Sequence, residues 1–174
     1  MGAGKTTTGR RLANALGLRF VDSDRVIEER TGASIPLIFE LEGEAGFRRR
    51  ERDVIDELTQ EDGIVLATGG GAVTTPDNRE FLRSRGIVVY LCASVEQQLQ
   101  RTRHDRNRPL LQTADPKAKL TELMRIREPL YRQLAHITVN TDRGNPQRVV
   151  REILRQLESI AATGENGRPD HGNG

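Results

Sequence analysis

The chain opens Met-Gly-Ala-Gly-Lys-Thr-Thr-Thr, and this stretch limits what the rest can fold into more than any other. Gly2, Gly4, Lys5 and Thr6 match the second half of the phosphate-binding pattern G-x-x-x-x-G-K-[ST], whose leading glycine falls before Met1. Glycines let the backbone turn its N–H groups inward around a phosphate, with Ala3 and Thr7 supplying further amides. Lys5 adds a compact positive charge, and the Thr6 hydroxyl can ligate Mg²⁺. Such a loop requires a helix immediately after it. The segment Thr7 to Leu16 carries Leu12, Ala13 and Leu16 at helical spacing and stops at Gly17, so the positive end of its dipole faces the phosphates. The lysine is also conspicuous. Of 27 basic residues only Lys5, Lys117 and Lys119 are lysines, so a single one precedes Lys117, and it stands where a phosphate loop requires it.

A chain of 174 residues suits one domain with a core of its own. The formal charge is only +2, with 25 acidic residues interspersed among the basic ones, and aromatic residues make up 3%. That balance argues against a nucleic-acid partner, because no aromatic stacking surface is available. Cys92 is alone in an apolar run and reads as a small buried hydrophobe. No apolar run approaches the roughly 20 residues of a membrane span, and no secretory leader is recognisable. The expectation is a cytoplasmic enzyme with no membrane partner.

Beyond Gly17, a short strand over Leu18–Val21 leads into Asp22-Ser23-Asp24 and a helix from Arg25 to Arg30. Two apart on extended chain, Asp22 and Asp24 are expected to face one side, towards a ligand cleft; the competing reading makes Asp24 a helix cap. Ser34 and Pro36 start the next helix, with Leu37, Ile38 and Leu41 as its buried stripe, and Gly43 interrupts it. Glu44 to Leu58 forms a longer helix. In its Phe47-Arg48-Arg49-Arg50-Glu51 run, Arg49 and Arg50 read as a solvated face, whereas Phe47 can partly desolvate Arg48 and strengthen its hold on a carboxylate.

Ile64–Thr68 reads as a strand buried on both faces that empties into Gly69-Gly70-Gly71, where something can approach the backbone closely. Thr75-Pro76 opens a helix to Arg85, Ile87–Cys92 is another strand, and Ser94 with Gln97 begins a helix to about Gln100. Arg101 to Asp115 is polar and arginine-rich and reads as a lid. Lys117–Leu134 is helical, with a kink expected at Pro129, and a strand over His136–Asn140 precedes a last helix from Asn145-Pro146. The domain is expected to span 1–160 and a disordered tail 163–174.

Strand and helix alternate, which gives an α/β fold with a parallel sheet covered by helices on both faces. On that frame the chain resembles the shikimate kinases. Six motifs occur in the family's order: MGAGKTT, Asp22-x-Asp24, Gly46-Phe47-Arg48, Gly69-Gly70-Gly71, Arg108-Pro109-Leu110-Leu111 and Arg127-x-Pro129-Leu130-Tyr131. The resemblance extends to about Leu157. It implies a monomeric P-loop kinase that uses ATP and Mg²⁺ to phosphorylate the 3-hydroxyl of shikimate, a step towards the aromatic amino acids. Carried across by motif, Gly2 to Thr7 hold the nucleotide phosphates, with Lys5 on the β- and γ-phosphates and Thr6 on Mg²⁺. Asp24, Arg48, Gly70, Gly71 and Arg127 bind shikimate, Arg108 reaches the transferring phosphate, and Arg101 and Pro146 flank adenine. Asp22 is the candidate for orienting or deprotonating the attacking hydroxyl, by itself or through the water shell of the metal.

Members of the family carry a strand and the first loop glycine ahead of the part of the loop seen here. The expectation is a product longer by about 5 to 15 residues, and otherwise a sheet with a central gap. Two other readings stay open: a related kinase of small metabolites, such as gluconate, or of nucleotides; and a nucleotide-binding regulator without turnover.

Overall fold

A computed structural model describes residues 2–103, 109–142 and 145–165. The strands and helices alternate as the apolar pattern requires: α1 (Lys5–Leu16), β1 (Arg19–Asp22), α2 (Ser23–Thr31), α3 (Ile35–Leu58), β2 (Ile64–Ala67), α4 (Pro76–Arg85), β3 (Val89–Cys92), α5 (Val95–Thr102), α6 (Pro116–Leu134), β4 (Ile137–Asn140) and α7 (Pro146–Glu165). Short 3₁₀ turns lie at Ala72–Thr74 and Pro109–Leu111. No helix among the described residues is long and apolar enough to cross a membrane.

Local chemistry sets most of these boundaries. Helix α1 begins after Gly4 (φ 82°) and ends at Gly17 (φ 68°), both in the left-handed region that side chains disfavour. Ser94 Oγ accepts from the Gln97 N–H at 3.3 Å, as the cap pattern implies. Asp115 Oδ1 likewise accepts from the Ala118 N–H at 2.9 Å. Gly43 (φ 69°, ψ 179°) breaks α3 into two helical segments. Helix α6, by contrast, continues through Pro129. Ser34 occupies the N-cap of α3 but makes no capping hydrogen bond with its side chain. Ile38 alone of the expected stripe is buried, since Leu37 and Leu41 are exposed.

The strands form two parallel pairs. In one, β1 lies beside β2 with Arg19 opposite Ile64 and Asp22 opposite Ala67. In the other, β3 lies beside β4 with Val89 opposite Ile137 and Cys92 opposite Asn140. Among the described residues no ladder joins the pairs, and a cavity of about 550 Å³ bordered by Val65, Leu66, Val89 and Leu91 lies between them. Two expectations are corrected. Strand β2, beside that cavity, is not buried on both faces, because Ile64, Val65 and Leu66 are half-buried. Cys92 is half-buried instead of buried. Two apolar clusters hold the layers. Leu12 joins Ile137, Val139, Val149, Val150 and Ile153, while Val21 and Ile27 join Ile38, Phe47, Val54 and Leu58. Each fully buried aliphatic side chain contributes about 1.5–3 kcal/mol.

Candidate active site

The opening loop is built from close backbone packing. Gly2 (φ 63°) lies so near α5 that an added Cβ would stand 3.0 Å from the Gln98 carbonyl. Ala3 is buried, and Gly4 accepts from the Thr8 N–H at 2.9 Å, which turns the chain into α1. Lys5, Thr6 and Thr7 therefore form the first turn, where the backbone N–H groups and the positive end of the helix dipole favour an anion. The Thr6 hydroxyl donates to Asp22 Oδ2 at 3.3 Å. One hydroxyl and one carboxylate, both hard oxygen donors beside a phosphate-binding turn, suit Mg²⁺, which takes few protein ligands and fills its shell with phosphate and water.

Asp22 and Asp24 do not lie two apart on one extended segment, because the helix begins at Ser23. Asp22 ends β1 and is itself the cap of α2, its Oδ1 accepting from the Asp24 N–H at 3.1 Å. Asp24 already lies in the first helical turn, with Oδ1 3.1 Å from the position a Cβ on Gly69 would take. The reading that made Asp24 the cap named the wrong carboxylate: Asp22, the last extended residue, accepts from an amide of the first turn, which Asp24, already inside that turn, is not placed to cap.

The Gly69–Gly71 turn is hemmed in by charged groups. An added Cβ would stand 2.7 Å from Glu51 Oε1 at Gly69 and 2.1 Å from Arg48 Nη2 at Gly71. Arg48 also has its guanidinium carbon 5.2 Å from the centre of the Phe47 ring. It donates to Glu51 Oε2 at 2.6 Å and to Glu44 Oε1 at 3.0 Å. Burial works to lower its pKa, but Glu51 and Glu44 outweigh that and raise it, so the group stays charged. Glu51 has no exposed surface. Burial pushes its pKa up to about 6, with Arg48 pulling the other way and Asp24 adding to the rise. Arg127, on α6, is 5% exposed and lies near enough to lower the Glu51 value as well. Tyr131, one turn on, donates its hydroxyl to the Gly70 carbonyl.

Asp24, Arg48, Gly70, Gly71 and Arg127 thus gather around one turn, while Gly2 to Thr7 and Asp22 form a second cluster. Arg101 completes the last turn of α5 instead of opening a lid, and donates to the carbonyls of Gly2 at 3.2 Å and Thr141 at 2.8 Å. Pro146 is the first residue of α7. Arg108 lies outside the described residues, as does the middle of the expected lid; its later part contains the turn Pro109–Leu111 and the cap Asp115. Two residues of the site had no sequence assignment. Glu51 stands in a charged run, yet Phe47, Glu51, Val54, Ile55 and Leu58 share one buried helical face, and that spacing was a usable signal. Tyr131 meets Gly70 only through the tertiary fold, which no local pattern announces.

A parallel α/β scaffold with a Gly-Lys-Thr turn at the foot of one helix, and an arginine- and carboxylate-lined turn at the exit of β2, defines a P-loop kinase. A family model described as shikimate kinase matches residues 1–158. The chain is 62% identical over 158 residues to a shikimate kinase of Halorhodospira halophila, covering 91% of this chain and 89% of that one. It is 63% identical over 155 residues to one of Thioalkalivibrio sulfidiphilus, covering 89% and 82%. Among solved structures, shikimate kinase from Acinetobacter baumannii in complex with shikimate superposes with a TM-score of 0.90 at 57% identity, over 92% of this chain and 89% of that one. Shikimate kinase from Bacteroides thetaiotaomicron gives a TM-score of 0.83 at 34% identity, over 91% and 94%. The chain belongs to the shikimate kinase family.

Proposed function

We propose that the chain transfers the γ-phosphoryl group of ATP to the 3-hydroxyl of shikimate, giving shikimate 3-phosphate and ADP. The observation that carries this reading is the Gly69–Gly71 turn, which has Arg48 against Gly71 and the Asp24 and Glu51 carboxylates beside Gly69. Such a turn offers a guanidinium for a carboxylate and carboxylates for hydroxyls, the two groups that a small hydroxylated ring acid presents.

In this reading Arg48 and Arg127 take the acceptor carboxylate, Asp24 accepts from its hydroxyls, and the amides of Gly70 and Gly71 complete the enclosure. The first turn of α1 holds the phosphates through the amides of Gly2, Ala3, Gly4, Lys5, Thr6 and Thr7, and Lys5 balances the charge that builds on the β- and γ-oxygens. Thr6 and Asp22 would hold Mg²⁺, Asp22 through a metal-bound water. Mg²⁺, when bound, neutralises charge on the phosphates. Asp22 is placed to orient the attacking hydroxyl or accept its proton. Arg101, already bonded to the loop at Gly2, and Pro146 flank the adenine, and Arg108 serves the transferring phosphate. The working unit is the single chain, since both clusters come from it.

ADP release measured with Mg²⁺, ATP and in turn shikimate, gluconate and nucleoside monophosphates tests the assignment. Turnover only with shikimate supports it. Turnover with gluconate or a nucleotide in its place, or none with any acceptor despite ATP binding, overturns it.

A further inference from the structure

The segment Arg127 to Tyr131 places two polar side chains on the inner side of α6, and only the arginine has a role so far. Four residues apart, the two share a helix face. The Tyr131 ring is stacked on Tyr90 of β3, with centroids 4.9 Å apart and planes at 26°, so its direction is fixed independently of its hydroxyl. That hydroxyl donates to the Gly70 carbonyl. Burial raises the pKa of the phenol, against the pull of the neighbouring Arg127 guanidinium, and the group remains an O–H donor at neutral pH.

A trans peptide is planar and carries its C=O and N–H on opposite sides, and no described peptide is cis. Drawing the Gly70 carbonyl towards α6 therefore turns the Gly71 N–H to the far side of the same plane. Neither the Gly70 nor the Gly71 N–H donates to another described residue. A peptide between two glycines has little of its own to hold this orientation, because glycine populates both signs of φ at little cost.

We propose that Tyr131 is a positioning residue for acceptor recognition: its hydroxyl locks the Gly70–Gly71 peptide so that the Gly71 N–H meets an acceptor oxygen beside Arg48. The proposal rests on the shikimate reading and adds what fixes the turn that the substrate meets. It differs from a space-filling role for Tyr131, in which the ring matters and the hydroxyl does not.

Tyr131→Phe keeps the ring and its stack and removes the hydroxyl, with its hydrogen bond to the Gly70 carbonyl and its contact with Arg127. With Mg²⁺ present and shikimate and ATP varied separately, the KM for shikimate is expected to rise about three- to tenfold while kcat and the KM for ATP stay within about twofold. Calorimetric affinity for shikimate should fall by the same factor, with the melting temperature nearly unchanged. An unchanged KM for shikimate overturns the proposal. So does a drop in kcat and a rise in both KM values accompanied by a lower melting temperature, which marks a structural role. If wild-type enzyme gives no shikimate-dependent ADP release, the acceptor reading fails and the proposal with it. Should wild type turn over and only the Tyr131→Phe result go against expectation, the acceptor reading stands.

Discussion

Gly71→Ala isolates the Gly71–Arg48 contact that the proposed acceptor site is built on. Gly71 has φ −87° and ψ −9°, a conformation that alanine adopts freely, so the substitution adds no backbone strain. What it adds is a methyl group 2.1 Å from Arg48 Nη2 and 2.5 Å from Nη1. One of the two must move. The guanidinium is the free end of a flexible side chain, but it is 15% exposed and tied to Glu51 at 2.6 Å and Glu44 at 3.0 Å. In the proposed reading its displacement forfeits a charged hydrogen bond to shikimate, about 1.5–3 kcal/mol, or about ten- to a hundredfold in the KM. Steady-state ADP release should show that rise with kcat changed far less. The same substitution in an Arg48→Ala background should cost almost nothing further, since the group it collides with is gone. An unchanged KM for Gly71→Ala, or the full loss in the absence of Arg48, would refute this account of the turn.

Two further expectations concern stability. Gly43→Ala meets no atom within 4 Å, yet φ 69° with ψ 179° is open essentially to glycine alone; urea denaturation should show a loss of about 1–3 kcal/mol, and no loss would mean that the α3 break does not need its glycine. Glu51, with a folded pKa of about 6 against an ordinary 4.5, binds more protons folded than unfolded between those values, so its contribution is present at low pH and is lost as pH rises through about 6. Relative to Glu51→Gln, which does not titrate, wild type should lose about 2 kcal/mol of unfolding free energy between about pH 4 and pH 7.5. A difference independent of pH would contradict the buried, titrating carboxyl.

The parts legible in the sequence are those whose chemistry is local. The phosphate turn, the Ser94 cap, the break at Gly43 and the α/β alternation each rest on a few adjacent residues whose backbone requirements act at short range. The fit between Gly71 and Arg48 was half legible, since three glycines announce a close approach without saying by what. What failed depended on packing. Leu37 and Leu41 fit a helical stripe, but both are exposed, and the segment packs on the core through Ile35, Ile38 and Phe39 instead. Glu51 was hidden by its arginine neighbours, because a charged run looks solvated until the helix is seen against the turn it packs on. The strand β2 read as doubly covered from its apolar run, whereas three of its residues are half-buried beside the cavity that parts the two strand pairs.

The central claim, that Arg48 and Arg127 hold a carboxylate while the first turn of α1 holds a nucleotide, is tested most directly by comparing shikimate with its methyl ester as phosphoryl acceptors. The ester keeps the ring and hydroxyls, removes the negative charge and adds one methyl group. The expected result is an ester KM raised about a hundredfold in wild type, with the gap between the two acceptors shrinking strongly in Arg48→Ala. Equal KM values for acid and ester in wild type would contradict the claim.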